Sequence, residues 1–454
     1  MGIPHVLAVP YPAQGHVIPM MELLQSFTKQ GFKVTCVNTE FIHERVMKAM
    51  NEKESNVVDT IQMTSIPDGL GPSEDRNDFV IALKAIFEVM PGKLEELIEK
   101  INETDDNKIT CLVADENMGW AFKVAEKFGI KKVAFWPAST ALLAASFNVP
   151  KLIQDEILNS DGTVRKHQTI SLSKNMPAMN TENLVWFCFP DLETQKTVFG
   201  VIQKSNEFVK LADFVICNSA YELEPAAFTL CPNLLPIGPL IATNQLGKQV
   251  GHFWPEDSAC LTWLNEQPVS SVIYVAFGSF TLFDPIQFQE LALGLEKTNR
   301  PFLWVVRPDM TDEMNEAYPK GFIDRIGSRG RMVGWAPQEK VLRHPSVACF
   351  LSHCGWNSTI EGVSNGVPFL CWPYFADQFL NERYICDVWK VGLGLEKDES
   401  GIISHSEITN KVEHLVCDNQ FKARVLELKE KVVNSVSTQG CSNKNLSRII
   451  DWMK

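Results

Sequence analysis

Residues 5–37 read HVLAVPYPAQGHVIPMMELLQSFTKQGFKVTCV, and residues 271–306 read SVIYVAFGSFTLFDPIQFQELALGLEKTNRPFLWVV. The two stretches share one grammar: a short apolar run, a loop rich in Gly, Pro and hydroxyls, an amphipathic helical pattern, then a second apolar run. The runs are too short and too uniformly apolar for half-exposed strands, and they suit parallel strands covered on both faces. Pro19 is expected in the first helical turn and Gly31 just past the helix end. Further apolar runs follow at 109–114, 132–136 and 214–218, and again at 331–333, 347–351 and 369–372. Strands alternating with helical patterns, twice over, predict two doubly wound α/β domains.

The alternation breaks after residue 240, where a polar stretch without period runs to 257. The reading therefore divides the chain into a domain at 1–240, a linker at 241–257 and a second domain at 258–436. A last helix at 437–454 is free to pack back on the first domain. The apolar stretch 133–150 lies at the lower limit for a bilayer span and contains two prolines, so it reads as buried strand, loop and helix.

The chain has 454 residues, with 42 Lys and Arg against 55 Asp and Glu, a formal charge of −13. That balance speaks against a nucleic-acid partner and against stable membrane insertion or anionic-membrane binding. The twelve cysteines form no C-x-x-C pair and mostly sit in apolar runs, as buried thiols of a reducing compartment would. The first residues show no signal-peptide pattern, so a cytoplasmic location is expected.

In doubly wound sheets, ligands bind beyond the carboxyl ends of the strands. The residues placed there are PYPAQGH at 10–16, Asp115, Gly278 with Ser279 and Thr281, GWAPQ at 334–338, SHCGWNS at 352–358 and PYFADQ at 373–378. Two domains facing each other along these edges would form one cleft. His16 is a candidate general base and Asp115 a candidate partner for its second ring nitrogen. A helix-capping His with an unrelated loop Asp is the alternative. His353 to Ser358 lead into a helix whose N-terminus, with Gly355 permitting close approach, suits an anion; an ordinary helix cap is the alternative. Trp335 could stack a flat base and Glu361 could accept from ribose hydroxyls.

Competing motifs are absent or misplaced. There is no G-x-G-x-x-G, no P-loop and no D-x-D seat for a divalent ion. Residues 362–366, GVSNG, fit the G-x-S-x-G elbow of α/β-hydrolases, with Ser364 as nucleophile. That serine, however, follows a helical stretch instead of a strand.

Residues 335–378, WAPQEKVLRHPSVACFLSHCGWNSTIEGVSNGVPFLCWPYFADQ, resemble along their whole length the signature box of plant secondary-product UDP-glycosyltransferases. PYPAQGHVIPM at 10–20 is similar to that family's N-terminal segment, and VAFGS at 275–279 to its phosphate loop. The resemblance implies a GT-B fold, two Rossmann-like domains facing across a cleft, with the acceptor in the first and the UDP-sugar in the second. It assigns Trp335 to stacking on uracil, Ala336 to the base through its backbone, and Gln338 and Glu361 to the ribose. It assigns Ser279, His353, Asn357 and Ser358 to phosphate, and Trp356, Asp377 and Gln378 to the sugar. A final Gln in the box goes with glucose. Ser139 or Thr140 would reach the sugar from the first domain.

His16 matches the family's base and Asp115 its orienting carboxylate. The implied reaction is an inverting transfer of glucose from UDP-glucose to a hydroxyl or carboxyl of a small lipophilic acceptor, a phenolic, flavonoid or terpenoid. It needs no metal or other cofactor and gives a β-glucoside, and a monomer is expected. A catalytically idle binder of small hydrophobic molecules is the alternative. The acceptor should be met by segments 79–90, 118–120, 138–147 and 183–199, with Trp186, Phe187 and Phe199 as candidate lining residues.

Overall fold

A computed structural model describes residues 3–49, 61–104, 108–240, 251–307 and 318–454. The chain divides into two compact units, Met1–Phe253 with Asn434–Lys454, and Trp254–Val433. Of the stretch read as a linker, 241–250 lies outside the described residues. The rest of it is packed. The Phe253 amide donates to Gln14 Oε1 at 3.0 Å in the first unit, and the Trp254 ring stacks on Trp335 in the second.

The first unit is built on a parallel sheet of β1 (His5–Val9), β2 (Lys33–Thr39), β3 (Gln62–Ile66), β4 (Cys111–Asp115) and β5 (Lys131–Trp136), completed by β8 (Phe214–Cys217) and β9 (Leu234–Pro236). A small antiparallel pair, β6 (Thr169–Ile170) and β7 (Met179–Asn180), lies apart from it. The sheet order is β3-β2-β1-β4-β5-β8-β9. The chain thus leaves β1 to one side and returns on the other at β4, so the β1–β4 seam is the switch point where such sheets bind ligands. Val9 pairs with Ala114 across this seam.

Val6 and Ala8 of β1 join one apolar cluster, while Leu7 and Val9 join another. Alternate residues of a strand point to opposite faces, so both faces of β1 are covered. The first helix starts earlier than the sequence suggests, at Gln14, because the His16 and Val17 amides both bond to the Ala13 carbonyl. Pro19 consequently lies inside the helix and removes one backbone donor there. The last helix, Cys441–Met453, places Leu446, Ile449, Ile450 and Met453 in the same cluster as Val6 and Ala8. Asn445 Nδ2 donates to the Pro236 carbonyl at 2.9 Å, and Lys131 Nζ to the Trp452 carbonyl at 2.5 Å.

The second unit repeats the plan with β10 (Val272–Ala276), β11 (Phe302–Val305), β12 (Gly330–Val333), β13 (Val347–Ser352), β14 (Phe369–Cys371) and β15 (Gly392–Gly394). All its strand pairs are parallel, in the order β12-β11-β10-β13-β14-β15. Its switch point is the β10–β13 seam, between the Gly278 loop and the His353 loop.

The stretch 133–150 resolves into β5, a turn and the helix Thr140–Phe147. Among the described residues no helix is long and apolar enough to cross a membrane. All twelve cysteines are free thiols. Ser364 lies in the last turn of the helix Trp356–Asn365, not on a strand-to-helix turn, so the hydrolase elbow is excluded.

Candidate active site

In the first unit, β1 and β4 end side by side, and their following residues meet. His16 stands in the first turn of the helix Gln14–Lys29, and its Nδ1 lies 2.7 Å from Asp115 Oδ2. The Asp115 side chain is fully buried and that of His16 is 25% exposed. The other carboxylate oxygen, Oδ1, accepts from the Asn117 backbone amide at 3.0 Å and from its side chain at 3.1 Å. A carboxylate anchored on one oxygen and facing a ring nitrogen with the other fixes the imidazole tautomer: Nδ1 carries the proton and Nε2 is the basic nitrogen.

Two neighbours feel the Asp115 charge. Burial, and then Asp115, push the Tyr11 phenol up to about 12; its ring centre is 5.1 Å from that of His16. Burial, and then Asp115, push the Glu116 carboxyl up to about 8. Glu116 is therefore largely protonated near neutrality.

Ser139 and Thr140 are fully buried. Ser139 Oγ accepts from the Leu142 amide, and the Thr140 hydroxyl lies against Cys217 Sγ. Their segment is held by Glu224, which was not foreseen. Its two carboxylate oxygens accept from the Thr140 amide, the Ala141 amide and Ser219 Oγ at 2.7–2.9 Å. The two hydroxyls therefore cap and pack the helix, with no exposed edge of their own. Among the candidate acceptor residues, Trp186 and Phe199 pack edge to face, 5.0 Å apart, in the interior. Phe187 is half-buried.

In the second unit the His353 ring is wedged between two glycines. A Cβ added at Gly278 or at Gly355 would fall 2.6 Å from His353 Nε2. Gly278 has φ +67°, open to glycine at little cost. Burial pushes the His353 imidazole down to about 4, against a raising influence of the Ala276 carbonyl and with the Arg307 charge adding to the fall. The ring is thus neutral at working pH, a dipolar donor. Gly355 precedes the helix Trp356–Asn365 and supplies no side-chain cap, so the first turn presents backbone amides and the positive end of the helix.

Gln338, Ser358 and Glu361 are joined directly. Gln338 Nε2 donates to Ser358 Oγ at 3.0 Å and to Glu361 Oε2 at 2.6 Å. Tyr274 OH donates to Gln338 Oε1 at 3.1 Å. Ala336 is buried, and Trp335 carries Trp254 on one face, ring centres 5.0 Å apart. Ser279 and Asn357 are half-buried. Trp356 is interior, its ring tilted against Trp389. Asp377 is tied to the His353 loop through Asn381, whose Nδ2 donates to Asp377 Oδ2 and to the Cys354 carbonyl. Gln378 Oε1 accepts from the Tyr374 and Phe375 amides, both at 2.8 Å, and so braces the loop before it.

Sequence reasoning placed Tyr11 at the sheet edge without a role and missed Glu224, Trp254, Tyr274, Arg307 and Asn381. Arg307 had a usable signal, for it follows β11 at the same sheet edge as the other candidates. Trp254 had none, since it sits in a stretch without periodicity. Among the described residues no group of three or more His, Cys, Asp or Glu is arranged to hold a metal ion.

The family model described as UDP-glucoronosyl and UDP-glucosyl transferase matches residues 4–432. UDP-glycosyltransferase 83A1 of Arabidopsis thaliana is 45% identical over all of this chain and 97% of its own. The 7-deoxyloganetin glucosyltransferase of Catharanthus roseus is 32% identical over 99% of this chain and 96% of its own. Among solved structures, Phytolacca americana UGT2 complexed with UDP-2fluoro-glucose and pterostilbene matches with a TM-score of 0.80. It is 26% identical over 100% of this chain and 99% of the other.

Proposed function

Because the chain belongs to the UDP-glucoronosyl and UDP-glucosyl transferase family and is a glycosyltransferase, we propose that it transfers glucose from UDP-glucose, with inversion, to a hydroxyl of a small lipophilic acceptor. The single observation that carries this reading is the His16–Asp115 contact of 2.7 Å at the switch point of the first sheet. His16 Nε2 takes the proton of the acceptor hydroxyl. The oxygen forms a bond to the anomeric carbon of the α-linked sugar while the bond from that carbon to the diphosphate oxygen breaks. UDP leaves with the electron pair, and a β-glucoside results. Asp115 stabilises the imidazolium that forms, and a base so held contributes ~10²–10⁴-fold.

The second unit holds the leaving group. Helix amides beyond Gly355, the neutral His353 ring and the Ser279 hydroxyl are dipoles fixed before the reaction, and such groups lose nothing to reorganisation as charge develops on UDP. We propose that they act without a metal cofactor. Trp335 receives the uracil on the face away from Trp254, and Glu361 the ribose. A terminal Asp-Gln pair, Asp377 and Gln378, supports glucose as the sugar. The enzyme is proposed to act as a cytoplasmic monomer; among the described residues no helix is long and apolar enough to cross a membrane.

The relatives include a 7-deoxyloganetin glucosyltransferase and an enzyme complexed with pterostilbene, which supports small terpenoid or phenolic acceptors here. The test is incubation with UDP-glucose, UDP-galactose and UDP-glucuronate against a panel of phenols and terpenoid alcohols, with chelator present. Mass spectrometry should find a hexoside formed from UDP-glucose, and NMR should find it β. An α-glycoside, or dependence on added metal ion, would overturn the mechanism.

A further inference from the structure

Tyr274 lies in the middle of β10, 1% exposed. Ile273 and Val275 beside it belong to the apolar cluster on one face of the second sheet, so its ring points to the other face. There it stacks on Phe350 of β13, ring centres 5.0 Å apart, the residue it also pairs with in the sheet. A ring packed in this way is held in place, and its hydroxyl is a fixed post. Burial, and then the Glu361 charge, push the phenol well above its ordinary range, so it keeps its proton and donates.

That donation goes to Gln338 Oε1. It decides which way the amide lies, because the oxygen must face the phenol and the nitrogen must face away from it. The nitrogen carries two hydrogens, and both are engaged: one by Ser358 Oγ and one by Glu361 Oε2. Gln338 opens the helix Gln338–Arg343, and Ser358 and Glu361 stand one turn apart on the helix Trp356–Asn365. A single amide therefore ties a core strand to two helices that begin at the site. Ser358 takes its bond on the oxygen and keeps its own proton to give.

We propose that Tyr274 is a positioning residue of the UDP site: through the Gln338 amide it holds the Ser358 hydroxyl ready to donate to the diphosphate and the Glu361 carboxylate ready to accept from the ribose. This rests on the reading of the second unit as a UDP-sugar site. Without the phenol hydroxyl the amide is free to turn over, and its oxygen would then oppose the Glu361 carboxylate. Tyr274 never meets the nucleotide; its whole effect passes through Gln338.

The experiment is a double-mutant cycle read by calorimetric binding of UDP, on the wild type, Tyr274→Phe, Gln338→Ala and the double variant, with melting temperatures recorded for each. Tyr274→Phe keeps the stacked ring and removes one hydrogen bond, so the Kd for UDP should rise about fivefold or more. In the Gln338→Ala background the same change should alter Kd by less than about twofold, because its route is already gone. In turnover with a phenol accepted by the wild type, Tyr274→Phe should raise KM for UDP-glucose by a larger factor than it lowers kcat. An equal loss of UDP affinity in both backgrounds would reduce Tyr274 to a scaffold residue, and unchanged affinity in Tyr274→Phe would overturn the proposal outright. If Tyr274→Phe does not fold, Gln338→Glu carries the test, since it keeps an oxygen for the phenol and sets another where the amide nitrogen met Ser358 and Glu361. A rise in Kd for UDP of about fivefold or more then supports the proposal, and unchanged affinity overturns it. Failure of the wild type to bind UDP would instead sink the underlying assignment of the donor site.

Discussion

At the scale of single residues, two adjacent carboxyl groups, Asp115 and Glu116, sit in different surroundings. Asp115 is anchored by Asn117 and faces His16, while its neighbour Glu116 is pushed up to about 8 by burial and by Asp115. A carboxyl raised in the folded state stabilises the fold fully below its unfolded value and loses that contribution as pH rises through about 8. Glu116→Gln should therefore melt close to the wild type at pH 5 and clearly above it at pH 9, in thermal unfolding followed by circular dichroism. Equal melting shifts at both pH values would contradict the assignment. Asp115→Asn keeps the shape of the contact but cannot stabilise an imidazolium, so kcat should fall by ~10²-fold or more, within the span of general-base effects, with KM for UDP-glucose little changed. The sequence placed His16 and Asp115 each at a strand end, yet could not place them together: they are 99 residues apart. Strand order decides the contact, and order is a property of the sheet. Glu224 stayed hidden for the same reason, since its partners Thr140 and Ser219 are brought in by tertiary packing.

At the scale of elements, loops at strand ends are held by close contacts that leave no room for a methyl group. Gly278→Ala and Gly355→Ala each drive a Cβ to 2.6 Å from His353 Nε2, so the imidazole must move. UDP affinity should drop tenfold or more in either variant, as read by calorimetry, with the melting temperature of Gly355→Ala changed by only a few degrees. The helix Thr140–Phe147 poses the complementary case. Glu224 takes up two of its first backbone amides, and Glu224→Ala leaves both buried without their acceptor. At roughly 1–3 kcal/mol for each of the two unsatisfied groups, denaturant unfolding should show a loss of about 2–6 kcal/mol. The central strands of both sheets were legible because each is apolar on both faces. Of the strands at the sheet margins, β12 was read at 331–333, while β3 and β15 were not: β3 carries an exposed Gln62 and half-buried neighbours, and β15 is Gly-Leu-Gly. An edge strand needs less apolar surface, so its pattern fades into that of a loop.

At the scale of the whole molecule, the chain closes on its starting unit. The helix Cys441–Met453 completes the cluster around β1, and the division into Met1–Phe253 with Asn434–Lys454 and Trp254–Val433 follows from that return. The sequence reading put a break near 437 and left a last, charged helix free to pack back on the first domain. Removal of residues 441–454 should uncover Phe214, whose ring the Trp452 ring meets edge to face, and the truncated chain should aggregate or melt well below the full one. Full solubility and an unchanged melting temperature would count against the packing described. In the proposed mechanism one unit carries the base and the other holds the leaving group, so the two functions should fail separately. The most direct measurement is the rate of glucoside formation from UDP-glucose by wild type and His16→Ala side by side, with UDP affinity measured on the same samples. The account predicts product from the wild type, none detectable from His16→Ala, and equal UDP affinity in both. Glucoside formed by His16→Ala at a rate near the wild type would contradict it.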